Sequence, residues 1–283
     1  MVNSDLTPDP PSGRRPRLCA VSYLNTAPLV WGALHGPQIG LADLTFAVPS
    51  VCADRVVAGD ADLGLVPVIE MARHQMGSVP GIGIACRGPV RSILLVSDRP
   101  FEQVQRVAVD SGSRTSVQLA RIILAHRYGV FPEVVSMDPD LERMLDQTDA
   151  ALVIGDTALS IDPAEVDVPC LDLGEEWVSL TGLPMVFATW AGRPEAVTPE
   201  VTELLHGSLH YGLGELDSII KEEAERRGFA EEVVHRYLTR DISFYLGPEE
   251  EAGLRLYLEY AMELPDTGVP TEMHVHDDAA GSR

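Results

Sequence analysis

Ser111-Gly112-Ser113-Arg114-Thr115-Ser116 stands between a β-prone run ending at Val109 and an apolar-periodic stretch from Thr115 to Tyr128 that stops at Gly129. Hydroxyls and free backbone N–H groups converge at such a strand-to-helix junction, and the helix dipole adds partial positive charge, so the segment suits a carboxylate or a phosphate. It reads equally as a plain helix cap at Ser113 or Thr115, and spacing leaves both readings open. Val21-Ser22-Tyr23-Leu24-Asn25-Thr26 puts Ser22 and Asn25 just past the carboxyl end of the first β-prone run, where open α/β sheets take ligands. Asn25 there either donates to and accepts from a substrate or holds a tight turn through its own backbone. In Ile154-Gly155-Asp156, Gly155 and Asp156 follow an apolar run, and Asp156 is an N-cap or a ligand contact. Gly88-Pro89-Val90-Arg91-Ser92 joins two β-prone runs, which makes Ser92 a cleft contact or an ordinary strand serine.

Other chemistries find little support. His206 and His210 lack the intervening Glu of a zincin helix, and the remaining histidines are scattered, so neither a metal site nor a Ser-His-Asp triad assembles. Cys19, Cys52, Cys86 and Cys170 form no CxxC pair, which argues against zinc and against a disulfide scaffold and leaves them as small apolar residues in or beside the core. No GxGxxG or GxxxxGK[ST] phosphate loop occurs. The net charge of -22 argues against nucleic acid and anionic membrane as partners, and an anionic substrate then needs local donors to offset the field. Acidic clusters such as Glu249 to Glu251 read as solvated helix faces.

The elements that must position these residues alternate. Arg17 to Ser22, Leu44 to Val48 and Ala61 to Val66 read as strands separated by helices, one entered at Pro28 and one running from Ser50 to Gly59, with Pro67 opening a third. This β-α-β-α-β order, with strands apolar throughout, points to a parallel sheet covered on both faces. A second α/β run follows through Ser92 to Val96, Val107 to Val109, Val134 to Ser136 and Ala150 to Ile154. After Val186 to Trp190 the pattern turns helical over 198–226, 230–239 and 248–263. We therefore expect two α/β lobes: residues 17–92 with 190–265, and residues 93–189, joined by crossings near Ser92 to Asp98 and Val186 to Gly192, with a ligand in the cleft. A polar leader over 1–16 shows no apolar centre of a secretory signal, and a polar tail spans 266–283. A leader without a secretory signal makes the cytoplasm the expected location, and no apolar run approaches membrane-spanning length.

As a set, several strings are specific: Ser22-Tyr23-Leu24-Asn25-Thr26-Ala27-Pro28-Leu29, Gly88-Pro89-Val90-Arg91-Ser92, Ser113-Arg114-Thr115-Ser116-Val117, Leu152-Val153-Ile154-Gly155-Asp156, and Glu176-Trp177 to Thr181-Gly182-Leu183-Pro184. In this order and spacing, over roughly residues 17 to 190, they resemble chorismate dehydratase of the futalosine route to menaquinone. The resemblance implies a type II periplasmic-binding-protein-like fold used as an enzyme without a cofactor. It implies a small-molecule substrate, chorismate, losing water to give 3-[(1-carboxyvinyl)oxy]benzoate. A sister family, 1,4-dihydroxy-6-naphthoate synthase, carries a Ser-Pro-Cys-Pro-Asn-Asp type segment where this chain has Ser22 to Thr26, a departure that favours the dehydratase.

On that resemblance Asn25 is the catalytic residue, orienting the substrate's enolpyruvyl carboxylate or its departing hydroxyl. Ser22, Ser92, Ser113, Thr115, Ser116, Gly155 and Asp156 are substrate contacts, with the helix start at Thr115 and Ser116 gripping the ring carboxylate. No carboxylate or His stands out as the base, which leaves the substrate's own enolpyruvyl carboxylate for that role. Two rivals share the fold. A solute-binding protein is one, and the effector lobes of a transcription regulator are the other, the latter disfavoured by the charge and by the absence of a helix-turn-helix before residue 17.

Overall fold

The computed structural model describes residues 14–110, 112–163 and 166–264. The expected leader lies outside the described residues except at 14–16, and the expected tail lies wholly outside them.

The chain opens with β1 (Arg17–Val21), α1 (Ala27–His35), β2 (Asp43–Ala47), α2 (Pro49–Ala58), β3 (Leu63–Pro67) and α3 (Val68–Arg73), then β4 (Gly77–Cys86). A second group follows: β5 (Ile93–Ser97), β6 (Arg106–Val109), α4 (Arg114–Ile123), β7 (Glu133–Ser136), α5 (Leu141–Gln147), β8 (Ala150–Ile154), α6 (Gly155–Leu159), β9 (Cys170–Asp172) and α7 (Leu173–Thr181). The chain ends with β10 (Met185–Gly192), α8 (Pro199–Gly214), α9 (Leu216–Arg227), α10 (Glu231–Arg236), β11 (Ser243–Tyr245) and α11 (Pro248–Glu263).

Two sheets result. One has six strands in the order β11-β4-β10-β3-β1-β2, and the other has five in the order β7-β6-β8-β5-β9. The β-α-β-α-β run takes the parallel order expected of it, within sheets that are mixed as a whole. Helical crossovers make β2-β1-β3 parallel and likewise β7-β6-β8, but β10 runs antiparallel to both β3 and β4, and β5 antiparallel to β8 and β9. The antiparallel strands are those at the crossings: β4 leads directly into β5 of the other sheet, and β10 returns from it after α7. The expected boundary between residues 189 and 190 falls inside β10, which joins the first sheet along its whole length, so the chain re-enters that sheet at Met185.

The C-terminal helices cover the first sheet and reach the second. The helix expected over 198–226 is divided at Glu215 into α8 and α9. α8 packs against α1 so closely that a Cβ on Gly212 would lie 2.2 Å from Pro28 O, and Ser208 Oγ donates to Leu29 O at 2.9 Å. α11 lies over β10 and α4, where Trp177 meets Tyr257 and Tyr260 edge to face with ring centroids 6.1 and 6.0 Å apart. Cys19, Cys52 and Cys86 are buried; Cys19 Sγ lies 3.4 Å from Cys52 Sγ and within 3.7 Å of Arg55, more polar company than small core residues were expected to keep.

Asp62 ties the start of β3 to the start of β1. Its carboxylate accepts from Arg17 N at 2.8 Å and from the Arg17 and Arg14 guanidinium groups at 2.9 Å. Burial works to raise its pKa, but these donors outweigh that and hold it at about 2, below the ordinary 3.8. A carboxylate depressed in the fold stabilises it above the unfolded-state pKa and loses that contribution as pH falls from about 4 to about 2. Asp62→Asn is therefore expected to lower Tm at neutral pH and to flatten its decline across that acid window. Equal slopes for wild type and variant in melts at stepped pH would refute the assignment.

Candidate functional site

A cleft of about 520 Å³, solvent at its mouth included, lies between the two sheets. Its walls include Val21 at the end of β1, Pro67 at the end of β3, Ile154 at the end of β8 and Phe187 of β10. The parallel strands thus deliver their carboxyl ends to the site, as open α/β sheets do. Every lining side chain is neutral, and the polar ones are Tyr23, Asn25, Ser92, Ser113, Thr115 and Ser116.

The start of α4 supplies donors. Ser113 occupies the N-cap position but its side chain makes no capping bond; its hydroxyl turns to Ser116 Oγ at 2.8 Å. The first N–H groups of a helix have no intrahelical acceptor, and here Ser113, Thr115 and Ser116 line the cleft at the positive end of the dipole. Thr115 Oγ1 accepts from Ile69 N at 3.5 Å, which leaves its own proton to donate. The basic side chain in this turn faces elsewhere: Arg114 bonds Asp54 and Glu70, both at 3.0 Å, across to α2 and α3. Ser111 lies outside the described residues.

Opposite stands Asn25, in the 3-10 turn Leu24–Thr26 that links β1 to α1. Its Nδ2 donates to Tyr237 Oη at 3.0 Å, and Tyr237 Oη donates to Ser92 Oγ at 2.8 Å. Asn25 Oδ1 is buried and has no partner. A buried amide oxygen without a donor is costly, and in a cleft it indicates where a ligand's donor belongs. Burial raises the Tyr237 phenol above its ordinary pKa, so it remains a protonated donor at every physiological pH.

Ser92 is held by its backbone. Its N–H donates to Val90 O at 2.7 Å across Arg91, whose φ is 63°, giving a γ-turn of the strained hand. Asp172 over-determines that turn by accepting from Val90 N at 2.9 Å and Arg91 N at 2.6 Å while capping α7 through Gly174 N at 3.0 Å. Strain maintained in this way is characteristic of functional sites.

Of the residues selected from sequence, Asn25, Ser92, Ser113, Thr115, Ser116 and Gly155 share this cleft. Ser22 and Asp156 do not line it. Ser22 is exposed and turns its hydroxyl to Ala47 O at 3.3 Å on the neighbouring parallel strand. Asp156 accepts from Leu24 N at 3.0 Å and pairs with Arg227, whose other nitrogens bond Ser22 O at 2.9 Å and Glu223 at 2.7 Å. Its carboxylate is thus consumed in fastening α6 to the β1–α1 turn and α9, a bond that also removes a negative charge from an anion's approach. Tyr23, Tyr237 and Asp172 were not singled out in the sequence, because an isolated aromatic or a capping Asp carries no periodic signal. Among the described residues no group of three or more His, Cys, Asp or Glu is placed to hold a metal ion, and no helix is long and apolar enough to cross a membrane.

Comparison with known proteins follows the same lines. Solved structures share the fold: protein AF1704 from Archaeoglobus fulgidus superposes with a TM-score of 0.71 at 18% identity, covering 88% of this chain and 97% of that one. The alkanesulfonate-binding protein from Xanthomonas axonopodis pv. citri, bound to MOPS, gives 0.64 at 17% identity over 89% and 95%. The periplasmic aliphatic sulphonate-binding protein of Escherichia coli gives 0.60 at 15% over 89% and 93%. The chain therefore has the periplasmic-binding-protein-like fold expected from its sequence. A curated relative, the chorismate dehydratase of Thermus thermophilus, is 30% identical over 261 residues, which cover 86% of this chain and 93% of the relative. A family described as menaquinone biosynthesis matches residues 16–263, nearly all of what the structure describes, and the chain belongs to that family.

Proposed function

We propose that this protein dehydrates chorismate to 3-[(1-carboxyvinyl)oxy]benzoate in menaquinone biosynthesis, acting in the cytoplasm. The observation that carries the reading is the pairing of two features in one cleft. An uncapped helix start with three hydroxyls lines it, and so does Asn25, whose amide oxygen is buried and unpartnered, with no charged side chain in the lining. A dicarboxylate fits such a site because fixed N–H and O–H dipoles stabilise anionic oxygen without the competing carboxylates that surround this acidic protein's surface.

In the reaction the C3 proton departs, its electron pair spreads through the ring diene onto the ring carboxylate, and the C4–O bond then breaks. The hydroxyl leaves as water with the proton taken from C3, handed on by the enolpyruvyl carboxyl group, and the ring becomes aromatic. Donors at Ser113, Thr115, Ser116 and the α4 start stabilise the charge that accumulates on the ring carboxylate. Since no lining side chain is a carboxylate, His or Lys, the substrate's enolpyruvyl carboxylate takes the C3 proton, folded over C3 by the walls of the cleft. Asn25 Oδ1 accepts from the C4 hydroxyl and holds it in line for departure.

Mixing purified protein with chorismate and recording ultraviolet spectra tests the reading. The diene absorbance is expected to decay while a benzoate absorbance grows. An unchanged spectrum together with saturable binding would instead assign a solute-binding protein of the same fold, and neither binding nor turnover would direct attention to the sister 1,4-dihydroxy-6-naphthoate synthase activity.

A further inference from the structure

Resting on the dehydratase reading, we infer that Tyr237 is a positioning residue for the reaction, one phenol that fixes the orientation of both Asn25 and Ser92. The three residues come from remote parts of the chain: the turn after β1, the strained connection before β5, and the π-helical turn Tyr237–Asp241 that extends α10. Turns of this kind add one residue to a helix and commonly mark functional positions. Here the turn carries a fully buried ring beneath the cleft, Tyr237 being 2% exposed.

Donor and acceptor counting gives the phenol its effect. Asn25 Nδ2 donates to Tyr237 Oη at 3.0 Å, and Oδ1 is the end left without a partner. Tyr237 Oη–H donates to Ser92 Oγ at 2.8 Å, so the Ser92 proton must point to another acceptor, and the cleft that Ser92 lines is where one is available. The single hydroxyl thereby sets an acceptor at Asn25 and a donor at Ser92, the pair needed by a substrate that presents a hydroxyl and a carboxylate. Each donation also polarises the next, strengthening Ser92 as a donor. Without the phenol the amide can turn and the serine rotate, so the groups remain present but lose their direction.

Tyr237→Phe keeps the ring and removes only the hydroxyl. On chorismate, kcat is expected to fall by roughly 30- to 100-fold, as misorientation of a reacting group does, while KM stays within about threefold. The variant is paired with Asn25→Ala in a double-mutant cycle. Because Tyr237 works largely through Asn25, the phenol's removal is expected to cost no more than a few-fold in the Asn25→Ala background. A purely structural tyrosine would cost the same factor in both backgrounds. Equal kcat for Tyr237→Phe and wild type, or the same fold-loss with and without Asn25, would overturn the assignment, as would a rise in KM matching the fall in kcat. If wild-type protein leaves chorismate untouched, the dehydratase reading falls first and the relay with it; if wild type turns over and only the Tyr237 results fail, the relay alone is lost.

Discussion

Replacing Asn25 by alanine is expected to lower kcat for chorismate by about 10²–10³-fold, the loss typical of removing one preorganised polar group from an active site. KM should change little, because the proposed grip on the ring carboxylate lies on the other wall, at the start of α4. The two walls belong to different sheets, so the proposed binding and orienting roles can be tested separately. Stability should hardly move: Asn25 Oδ1 has no partner in the fold, so the variant gives up only the bond from Nδ2 to Tyr237, worth about 1 kcal/mol. Steady-state kinetics with a thermal melt checks all three points. Loss of kcat and of binding in equal measure would assign Asn25 to substrate holding, and unchanged kinetics would remove it from the site.

A comparable loss is expected from Gly155→Val, for steric reasons. Gly155 opens α6 with φ at 61°, a left-handed conformation that costs a residue with a Cβ about 1–2 kcal/mol. A Cβ there would also stand 2.8 Å from Tyr23 Cε1, within the ring that faces it from the first sheet's side of the cleft. Gly155 N meanwhile donates to Ser92 O at 2.8 Å, so a shift of this backbone is transmitted to the connection that carries Ser92. The branched side chain must push Tyr23 away or hold the walls apart, and kcat/KM should fall by at least roughly 10²-fold, with Tm reduced as well. Retention of wild-type kcat/KM would mean that the walls need not approach this closely for the reaction. The Tyr23 phenol cannot act as a base in compensation, because burial, reinforced by nearby Asp110, raises its pKa.

The walls are held together by groups that contribute nothing to the lining. Arg114 bridges to Asp54 and Glu70, Ser50 N donates to Gly112 O at 3.0 Å, and Asp156 joins Arg227 to the β1–α1 turn. In a protein with a net charge of -22, cations are few, and those beside the cleft are committed to pairs rather than to a ligand. Asp54, Glu70 and Asp156 are each paired with an arginine beside the cleft, and the polar side chains that line it are uncharged.

Much of the architecture could be read from residue order alone. Apolar runs at Leu18 to Val21, Leu63 to Val66 and Ala150 to Ile154 are buried on both faces, and such runs keep their character in any context. Gly59 and Gly129 terminate helices in left-handed conformation, as their position after apolar-periodic stretches implies. Short elements such as β9 and β11, with three residues each, were not legible, because they exist only through pairing with β5 and β4. The antiparallel direction of β10 was hidden for a related reason: a strand's sequence records its burial, not the sense of its neighbours.

The site divides in the same way. Position after a strand or before a helix marks Asn25, Ser92, Thr115 and Ser116 as candidates beside cap and turn readings, and the family resemblance chose among these. Tertiary contact alone decided the rest. It turned Ser22 outward to β2 and gave Asp156 to Arg227, and it brought Tyr237 from more than two hundred residues along the chain to Asn25. Hydrogen-bond partners of a side chain depend on distances between segments that the linear order does not encode, so the chemistry of each residue type was legible early, and its allegiance only in the folded molecule.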